Sequence, residues 1–427
     1  MLNLARSVGV LASVLAASVA FAQPSRHILE LQSPGGPLPV ELILDGGRAV
    51  ILNGDERIEV ERFELSPRPR SLGGGRLYTL GFDGFGKSVQ WIEPDGADEI
   101  RVRGEPGLPG WWRTERGSGL HMMPVAVRPY DGTRFGPVET PAGVEMDEPG
   151  PAADFAGRWA VDFSDDDEMS IGVFEVDDSG IATGTFLNAT GDYRYLAGRV
   201  DGDLMRLSVF DGAHGFLFHV RMRDDGTIAG DFWSWSWHHE TFTGVRDDTI
   251  ELADAFETTT ARASGSEIEQ LAFLGLDGTK KPIGAIAPPG TARMVLIFGS
   301  WCPNCHDATE YLKELNERYG PRGLKISGLA FEHSMEPSVV IPRVEQYLEN
   351  EDVPWPVLIA GLSDKDEASA AFPAIDRVRA FPTTIFIAPS GEVAAVHTGF
   401  TGPATGQAYV ELRERFESLI EEMLASR

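Results

Sequence analysis

Residues 294–305 read Met-Val-Leu-Ile-Phe-Gly-Ser-Trp-Cys-Pro-Asn-Cys, and this stretch decides the fold of the C-terminal part of the chain. Its first five residues are apolar and predict a buried strand. Beyond the cysteines, Leu312, Leu315 and Tyr319 recur at helical spacing, which predicts an amphipathic helix. The Cys-x-x-Cys motif therefore lies where a strand passes into the N-terminus of a helix.

A helix N-terminus favours a reactive cysteine, because the macrodipole and the unpaired N–H groups of the first turn stabilise an anion. A thiol there has a pKa of roughly 3.5–7.5, below the usual value of about 8.5. Pro303 suits the first helical position, which needs no N–H donor. Because Cys302 and Cys305 are the only two cysteines of 427 residues, we predict a redox pair.

Two other roles for the pair are weaker. A zinc site needs two further ligands, and His306 has no histidine partner three to five residues beyond it. A purely structural disulfide across two residues closes so small a loop that it adds little stability. We therefore predict neither a metal nor a cofactor at the pair.

The motif and two later segments resemble the TlpA-like thiol–disulfide oxidoreductases of the thioredoxin superfamily. Residues 301–305 supply Trp-Cys-Pro-Asn-Cys, and residues 380–387 supply Ala-Phe-Pro-Thr-Thr-Ile-Phe-Ile. Residues 391–400 are similar to the hairpin that closes the sheet in that family. The resemblance covers about residues 262–427, and it implies an α/β thioredoxin-like domain at 266–427.

The resemblance implies catalytic roles for Cys302, Cys305 and Pro382. Cys302 would attack the disulfide of a partner, and Cys305 would then release the reduced partner. Pro382 would be cis and would pack against the sulfurs. The backbone of Phe381 or Thr383 would pair with an extended segment of the partner.

Trp301 is expected to shield one side of the site, with plain packing as its other interpretation. Two positions depart from the family. Leu296 stands where cytoplasmic thioredoxins carry a buried Asp, and Ala308 where some TlpA-like reductases carry a Glu. Glu332 is a candidate proton acceptor in their place. A solvated carboxylate at a strand end is the simpler interpretation of Glu332, because Glu is rarely buried.

Composition and the N-terminus predict an exported protein. The net charge of −28 disfavours nucleic acid, which needs basic patches. Residues 1–22 contain Arg6, an apolar run and a small-x-small cleavage site, which together predict a signal peptide. An uncleaved anchor is the alternative. We predict a periplasmic or secreted protein with no membrane span after cleavage.

Residues 23–150 and 151–247 are predicted to be antiparallel β structure. Alternating residues at 40–44, 58–63 and 99–103 predict half-buried strands. The second stretch resembles a β domain that precedes the thioredoxin part in exported TlpA-like proteins, and we expect a lipocalin-like barrel or sandwich there. Whether the two stretches form one domain is left open. Residues 248–265 are predicted to be a linker.

Trp233, Trp235 and Trp237 alternate with serine and are predicted to share one face of a strand. A barrel core filled by indoles is the favoured interpretation, and an aromatic ligand groove is the alternative. His238 and His239 follow on opposite faces, so one metal site cannot easily use both.

The predicted function is an exported thiol–disulfide oxidoreductase, a reductase of protein disulfides that helps to maintain redox homeostasis. Its partners would be protein thiols or disulfides, with an upstream electron donor. One alternative is a binding protein whose β region carries the role while the redox domain senses or tethers. A thiol peroxidase is disfavoured, because Val295 and Gly299 stand where a Pro and a Thr or Ser are needed.

Overall fold

Three β-sheets make up most of the described part of the chain in the computed structural model. The structure describes residues 24–68, 76–82, 87–93, 108–116, 119–130, 132, 134–135, 153–165, 168–235 and 238–426. Within these ranges, none of the helices has both the length and the apolar character needed to cross a membrane. The predicted signal peptide and the predicted strand at 99–103 lie outside the described residues.

The first sheet is antiparallel throughout. Its strands are β1 (Ser25–Ser33), β2 (Gly36–Asp45), β3 (Arg48–Asn53), β4 (Glu56–Glu59), β5 (Arg62–Pro67), β6 (Arg76–Phe82), β7 (Lys87–Glu93), β8 (Leu108–Arg116) and β9 (Gly119–Pro129). Their spatial order is β4-β3-β2-β1-β9-β8-β7-β6-β5. In β2, Leu38, Val40, Leu42 and Leu44 are buried at alternate positions, as the period of a strand requires.

The prediction of a single strand at residues 58–63 is wrong, because the β structure is interrupted there. Strand β4 ends at Glu59 and β5 begins at Arg62. The N–H of buried Val60 instead donates to Ala49 O. Since β4 and β5 are the two edges of one sheet, the sheet must curl until its edges lie close together.

The second sheet closes into an eight-stranded antiparallel barrel. Its strands are β10 (Gly157–Phe163), β11 (Ser170–Val176), β12 (Ile181–Asn188), β13 (Gly191–Asp192), β14 (Leu196–Asp201), β15 (Leu204–Phe210), β16 (Gly215–Met222), β17 (Ile228–Ser234) and β18 (His238–Arg246). Pairing of β11 with β12 closes the ring, and β13 is a short addition to β12. An antiparallel barrel is thus present, while its particular likeness to lipocalins stays a prediction.

The barrel core is filled by phenylalanines rather than by the predicted indoles. Phe186, Phe218 and Phe232 pack inside it. Trp235 is buried on the other side of the barrel wall, where its indole N–H donates to Ala213 O (2.8 Å). Trp233 packs against the same outer cluster. The core interpretation of these two tryptophans is therefore wrong, because the first sheet covers the barrel's outer face. Trp237 lies outside the described residues.

The first sheet and the barrel share a hydrophobic core. Phe210 and Leu217 of the barrel join Leu38 and Leu80 of the first sheet in one buried cluster. Buried Arg134 crosses this contact, and its guanidinium donates to the carbonyl oxygens of Pro39, Leu52 and Ser208.

The third sheet carries the cysteine motif. Its strands are β19 (Ala272–Gly275), β20 (Lys280–Pro282), β21 (Ala292–Phe298), β22 (Leu324–Glu332), β23 (Val357–Leu362), β24 (Thr383–Ile387) and β25 (Val393–Thr398). The helices are α1 (Gly265–Ile268), α2 (Pro303–Tyr319), α3 (Pro337–Asn350), α4 (Lys365–Ala371) and α5 (Gln407–Ala425). The order is β20-β19-β23-β22-β21-β24-β25, with β21, β22 and β23 parallel.

Residues 248–265, predicted to be a linker, run along the third sheet. Arg262 N donates to Ala374 O, and Thr398 N donates to Ala255 O. The ring of Phe256 packs against Phe416 of α5 at a centroid distance of 5.9 Å. The domain boundaries themselves stay a prediction.

Candidate active site at the Cys302–Cys305 pair

Cys302 and Cys305 form a disulfide at the N-terminus of α2, with their Cα atoms 5.2 Å apart. Cys302 is the N-cap residue, and Cys305 N–H donates to its Sγ (3.3 Å). Both residues are buried, but Cys302, at 4% exposed, is the more accessible of the two, since Cys305 is 0% exposed. On reduction, the helix N-terminus and this N–H would stabilise a thiolate at Cys302. Pro303 occupies the first position of α2.

The loop before β24 lies against the sulfurs. Cys302 Sγ is 3.3 Å from Phe381 O, and the Phe381-Pro382 peptide bond is cis. Pro382 O accepts a hydrogen bond from Gly399 N (2.8 Å). The structure thus brings Cys302, Cys305, Phe381 and Pro382 together, and residues 399–402 form the next wall of the site.

Thr383 is not available to a partner strand. It begins β24 and pairs with Ile297 on one side and with Thr398 on the other. Its hydroxyl donates to Ala380 O (2.9 Å). Of the two residues suggested for pairing with a partner, Phe381 therefore remains, because it lies outside the sheet.

Trp301 closes one flank of the site. Its indole N–H donates to Phe331 O (2.9 Å). The ring meets Phe381 edge-on at 5.6 Å and stacks on His333 at 5.0 Å. These contacts support the packing interpretation of Trp301, and its shielding role stays a prediction.

Glu332 is completely buried, so its interpretation as a solvated carboxylate is wrong. Its carboxylate accepts from Ser300 N and from Ser300 Oγ, each at 2.8 Å. Arg343 Nε approaches within 3.5 Å. Burial raises the pKa of Glu332, against the hydrogen bonds from Ser300.

His306 extends this buried polar network past the cysteines. Its Nε2 lies 3.1 Å from Ser300 O, and its Nδ1 lies 2.9 Å from Glu351 Oε1. Although burial opposes it, the hydrogen bond with Glu351 raises the pKa of His306. Sequence reasoning considered His306 only as a zinc ligand and missed Ser300 and Glu351. The position of His306 directly after Cys305 was the available signal.

The barrel also contacts the site, which the sequence did not indicate. His214 Nε2 lies 2.8 Å from Trp301 O, and its Nδ1 lies 2.9 Å from Asp211 Oδ2. Arg194 binds Asp307, two residues after Cys305, at 3.1 and 3.2 Å. Burial raises the pKa of Asp307 to about 7, against the attraction of Arg194.

A possible metal-binding group lies elsewhere, at β18. Ligand atoms of Asp165, His238 and Glu240 all lie within 4.8 Å of one another. Asp165 is exposed, and exposed acidic groups are common without a metal ion.

A cleft of about 940 Å³ lies between the barrel and the third sheet. Barrel strands β11 and β12 form one wall, and residues 398–411 form another. Asn53, Gly54 and Asp55 of the first sheet complete it. All three sheets thus contribute to this cleft.

No protein-family model and no curated protein matches the chain. Among solved structures, a thioredoxin-family thiol:disulfide interchange protein from Chlorobium tepidum is 22% identical, with 36% of this chain and 92% of that chain covered and a TM-score of 0.27. A thiol-disulfide oxidoreductase from Bacteroides fragilis is 18% identical, with coverages of 36% and 99% and a TM-score of 0.26. A secreted disulfide oxidoreductase from Mycobacterium tuberculosis is 13% identical, with coverages of 35% and 98% and a TM-score of 0.27. These proteins are similar to about a third of the chain. At these identities and TM-scores the likeness carries no argument about activity, which has to come from the cysteine pair itself.

Proposed function

We propose that this protein is an exported thiol–disulfide oxidoreductase that reduces protein disulfides by exchange at Cys302 and Cys305. One observation carries the proposal. The only two cysteines of the chain form a disulfide at a helix N-terminus, with the more exposed sulfur at the N-cap. Such a place suits a sulfur that has to be an anion during the reaction.

The exchange proceeds in two steps. The Cys302 thiolate attacks one sulfur of the partner disulfide, and the electron pair of the broken S–S bond passes to the other partner sulfur, which takes a proton. The Cys305 thiolate then attacks Cys302 Sγ, which releases the second partner thiol and leaves the pair oxidised. An upstream donor of two electrons returns the pair to its reduced form.

Glu332 is the proposed proton acceptor for the second step. Cys305 is completely buried and must lose its proton before it attacks. Glu332 is a buried carboxylate whose pKa is raised by burial, and it is bound to Ser300, two residues before Cys302. A raised pKa brings the carboxylate closer in pKa to the thiol that it has to deprotonate, which makes the proton transfer easier.

Export, the reducing direction and the partner class rest on the N-terminal segment and on the family resemblance. An exported chain meets an oxidising compartment, where a reductase needs its upstream donor. A partner segment in extended form would lie beside Phe381, whose carbonyl faces Cys302 Sγ.

The reduction potential of the pair is the decisive measurement. Equilibration with glutathione and dithiothreitol, followed by alkylation of free thiols, gives this value directly. A potential of about −250 mV or below supports a reductase, and one of about −120 to −180 mV makes the protein an oxidant or isomerase. A pair that does not cycle is structural, and the proposal then fails.

A trapping experiment identifies the partners. The Cys305→Ala variant should accumulate mixed disulfides on Cys302, because the resolving thiol is missing. The matched control is Cys302→Ala, which lacks the attacking thiol and should accumulate none. Equal amounts of mixed disulfide from both variants, or none from either, would argue against the proposed enzyme.

The cleft between the sheets favours a binding protein as the second candidate. At about 940 Å³ it is large enough for a small organic ligand. In that case, ligand binding by the full chain would persist unchanged in the Cys302→Ala variant, as measured by calorimetry.

A further inference from the structure

One segment of the barrel rests on the loops that surround the disulfide. This segment, residues 188–195, connects β12 to β14 through the short β13. Asn304 belongs to the motif, between Cys302 and Cys305 in the sequence. A Cβ placed on Gly191 would lie 1.9 Å from Asn304 Nδ2 and 3.1 Å from Phe400 O. A Cβ placed on Gly399 would lie 2.5 Å from Thr190 O. The contact is therefore too close to admit even one methyl group.

Gly191 of this segment lies between Asn304 of the motif and Phe400, two residues of the segments that flank Cys302. The wall formed by residues 399–402 is bound to Pro382 through Gly399 N–H, and Phe381 O faces Cys302 Sγ. An extended partner chain that reaches Cys302 beside Phe381 has to pass between this wall and Asn304. Thr190 and Gly191 already occupy that passage.

His214 makes a second contact between the barrel and the motif. Its two ring nitrogens face Asp211 Oδ2 and Trp301 O, both of which are acceptors. The neutral ring donates to one of them, and only the doubly protonated ring donates to both. Burial lowers the pKa of His214, against the attraction of Asp211. Asp211 is itself fixed, because its Oδ1 accepts from Ala213 N (2.8 Å) and from His214 N (2.6 Å). The barrel thus also binds the residue immediately before Cys302.

Arg194 holds the segment in place. Its guanidinium contacts Asp307 of α2 at 3.1 Å and Glu56 of the first sheet at 2.6 Å. Its backbone N–H donates to Asp192 Oδ1, while Asp192 Oδ2 accepts from Gly402 N (2.6 Å). The buried guanidinium therefore joins the barrel to Glu56 of the first sheet and to Asp307 of α2, and the backbone N–H of Arg194 fixes a third carboxylate, Asp192.

We propose that residues 188–195, held by Arg194, occupy the partner groove beside Cys302 and thereby determine substrate size, admitting small thiols and disulfides but excluding extended protein segments until the barrel moves away. This inference rests on the function proposed above. It makes Arg194 a residue that sets specificity without contacting the reacting sulfurs. Without its charge, Glu56 of the first sheet and Asp307 of α2 lose the group that joins them to the barrel, and the segment would leave the groove.

The test compares two electron donors on the oxidised full-length protein. Dithiothreitol is small, and reduced thioredoxin is a folded protein dithiol. Each donor's two thiols become a disulfide, and the Cys302–Cys305 disulfide becomes two thiols. Quenching with an alkylating agent and mass spectrometry give the rate of each reaction.

We expect Arg194→Gln to raise the rate with thioredoxin at least about tenfold, because loss of one partner of a buried ion pair is strongly destabilising. The rate with dithiothreitol should change less than about threefold. Arg199→Gln is the matched control, since Arg199 lies on β14 of the same barrel and binds Asp201 instead. It should leave both rates unchanged.

Two outcomes would overturn the inference in distinguishable ways. If thioredoxin reduces wild type and Arg194→Gln equally fast while dithiothreitol reduces both, the segment excludes nothing and the proposed function stands. If neither donor reduces the pair in any variant, the proposed function itself fails and the inference falls with it. Should Arg194→Gln not fold, Arg194→Gln/Asp307→Asn also removes the facing charge, and the same increase is expected.

Discussion

The Asp307 carboxylate should make the stability of the protein depend on pH, and replacement by asparagine should remove that dependence. Burial raises the pKa of Asp307 from its ordinary 3.8 to about 7, against the attraction of Arg194. Asp192 and Glu56 add to the increase and His306 opposes it. The folded protein therefore holds a proton at Asp307 that the unfolded chain releases near pH 4.

The sign and size of the effect follow from linkage. A carboxyl whose pKa is raised on folding contributes stability that is fully present below about pH 4 and is lost as the pH rises through about 7. Three pH units at about 1.36 kcal/mol each give about 4 kcal/mol for a group that titrates alone. Because Asp307 interacts with the charges of Arg194 and Asp192, it does not titrate alone, and 4 kcal/mol is an upper bound.

Urea denaturation at pH 5, 6, 7 and 8 of wild type and Asp307→Asn would measure this contribution. We expect the stability of the variant relative to wild type to rise with pH across this range, by at most about 2–3 kcal/mol, and to level off above pH 7. Asp254→Asn is the control. Against partial burial, hydrogen bonds from Phe256 N–H and Arg415 lower the pKa of Asp254, so its carboxylate stays charged and its variant should lose a constant amount. A flat or falling difference for Asp307→Asn would refute the reasoning.

Three further replacements test the buried groups. Glu332→Gln keeps the size of the side chain and the contacts with Ser300 but accepts no proton, so the mixed disulfide should have a longer lifetime, measured by acid quenching at successive times. An unchanged lifetime would exclude Glu332 as the acceptor. His306 has a raised pKa, and its stabilisation is present below pH 6.5 and lost as pH rises through the higher value, so His306→Gln should cost more stability at pH 6 than at pH 9 in urea denaturation. Trp235→Phe loses a buried indole N–H bond and leaves a gap, which should cost about 2–3 kcal/mol by calorimetry; a cost below about 0.5 kcal/mol would contradict this packing.

The cysteine motif could be predicted because its determinants are local. The apolar run of β21, the cysteine spacing and the helical period after them lie within about 25 residues, and each is a property of neighbouring residues. Phe381 and Pro382 lie nearly 80 residues away, and only the family resemblance connected them to Cys302. Periodicity alone does not tell which distant loops meet.

The errors came from contacts between distant segments. Glutamate is rarely buried, which favoured an exposed position for Glu332. In the structure Ser300 supplies two hydrogen-bond donors and Arg343 a nearby positive charge. The sequence alone does not show that either residue lies next to Glu332. For Trp233 and Trp235, alternation could not tell which side of the barrel wall they face. Trp235 is also not part of the strand as predicted, because β17 ends at Ser234 and Trp235 has a φ of 55°. Both faces of the barrel wall are buried here, so hydrophobicity could not distinguish the inside from the outside.

Residues 188–195 can lie beside Cys302 in a protein that reduces protein disulfides, provided that the barrel can move away from the site. A buried cluster of one arginine and three carboxylates loses hydration on assembly, so its net contribution to stability is small compared with the number of its contacts. Such a contact is specific, because it fixes where residues 188–195 lie, without being strong. A partner with enough binding energy for the groove beside Phe381 can therefore displace the segment, whereas a small thiol needs no displacement.

The reaction of wild type with thioredoxin should then be slow but not absent, and its rate should level off at high thioredoxin concentration, where opening of the barrel limits it. A rate that stays proportional to thioredoxin concentration would show that no opening step precedes the exchange.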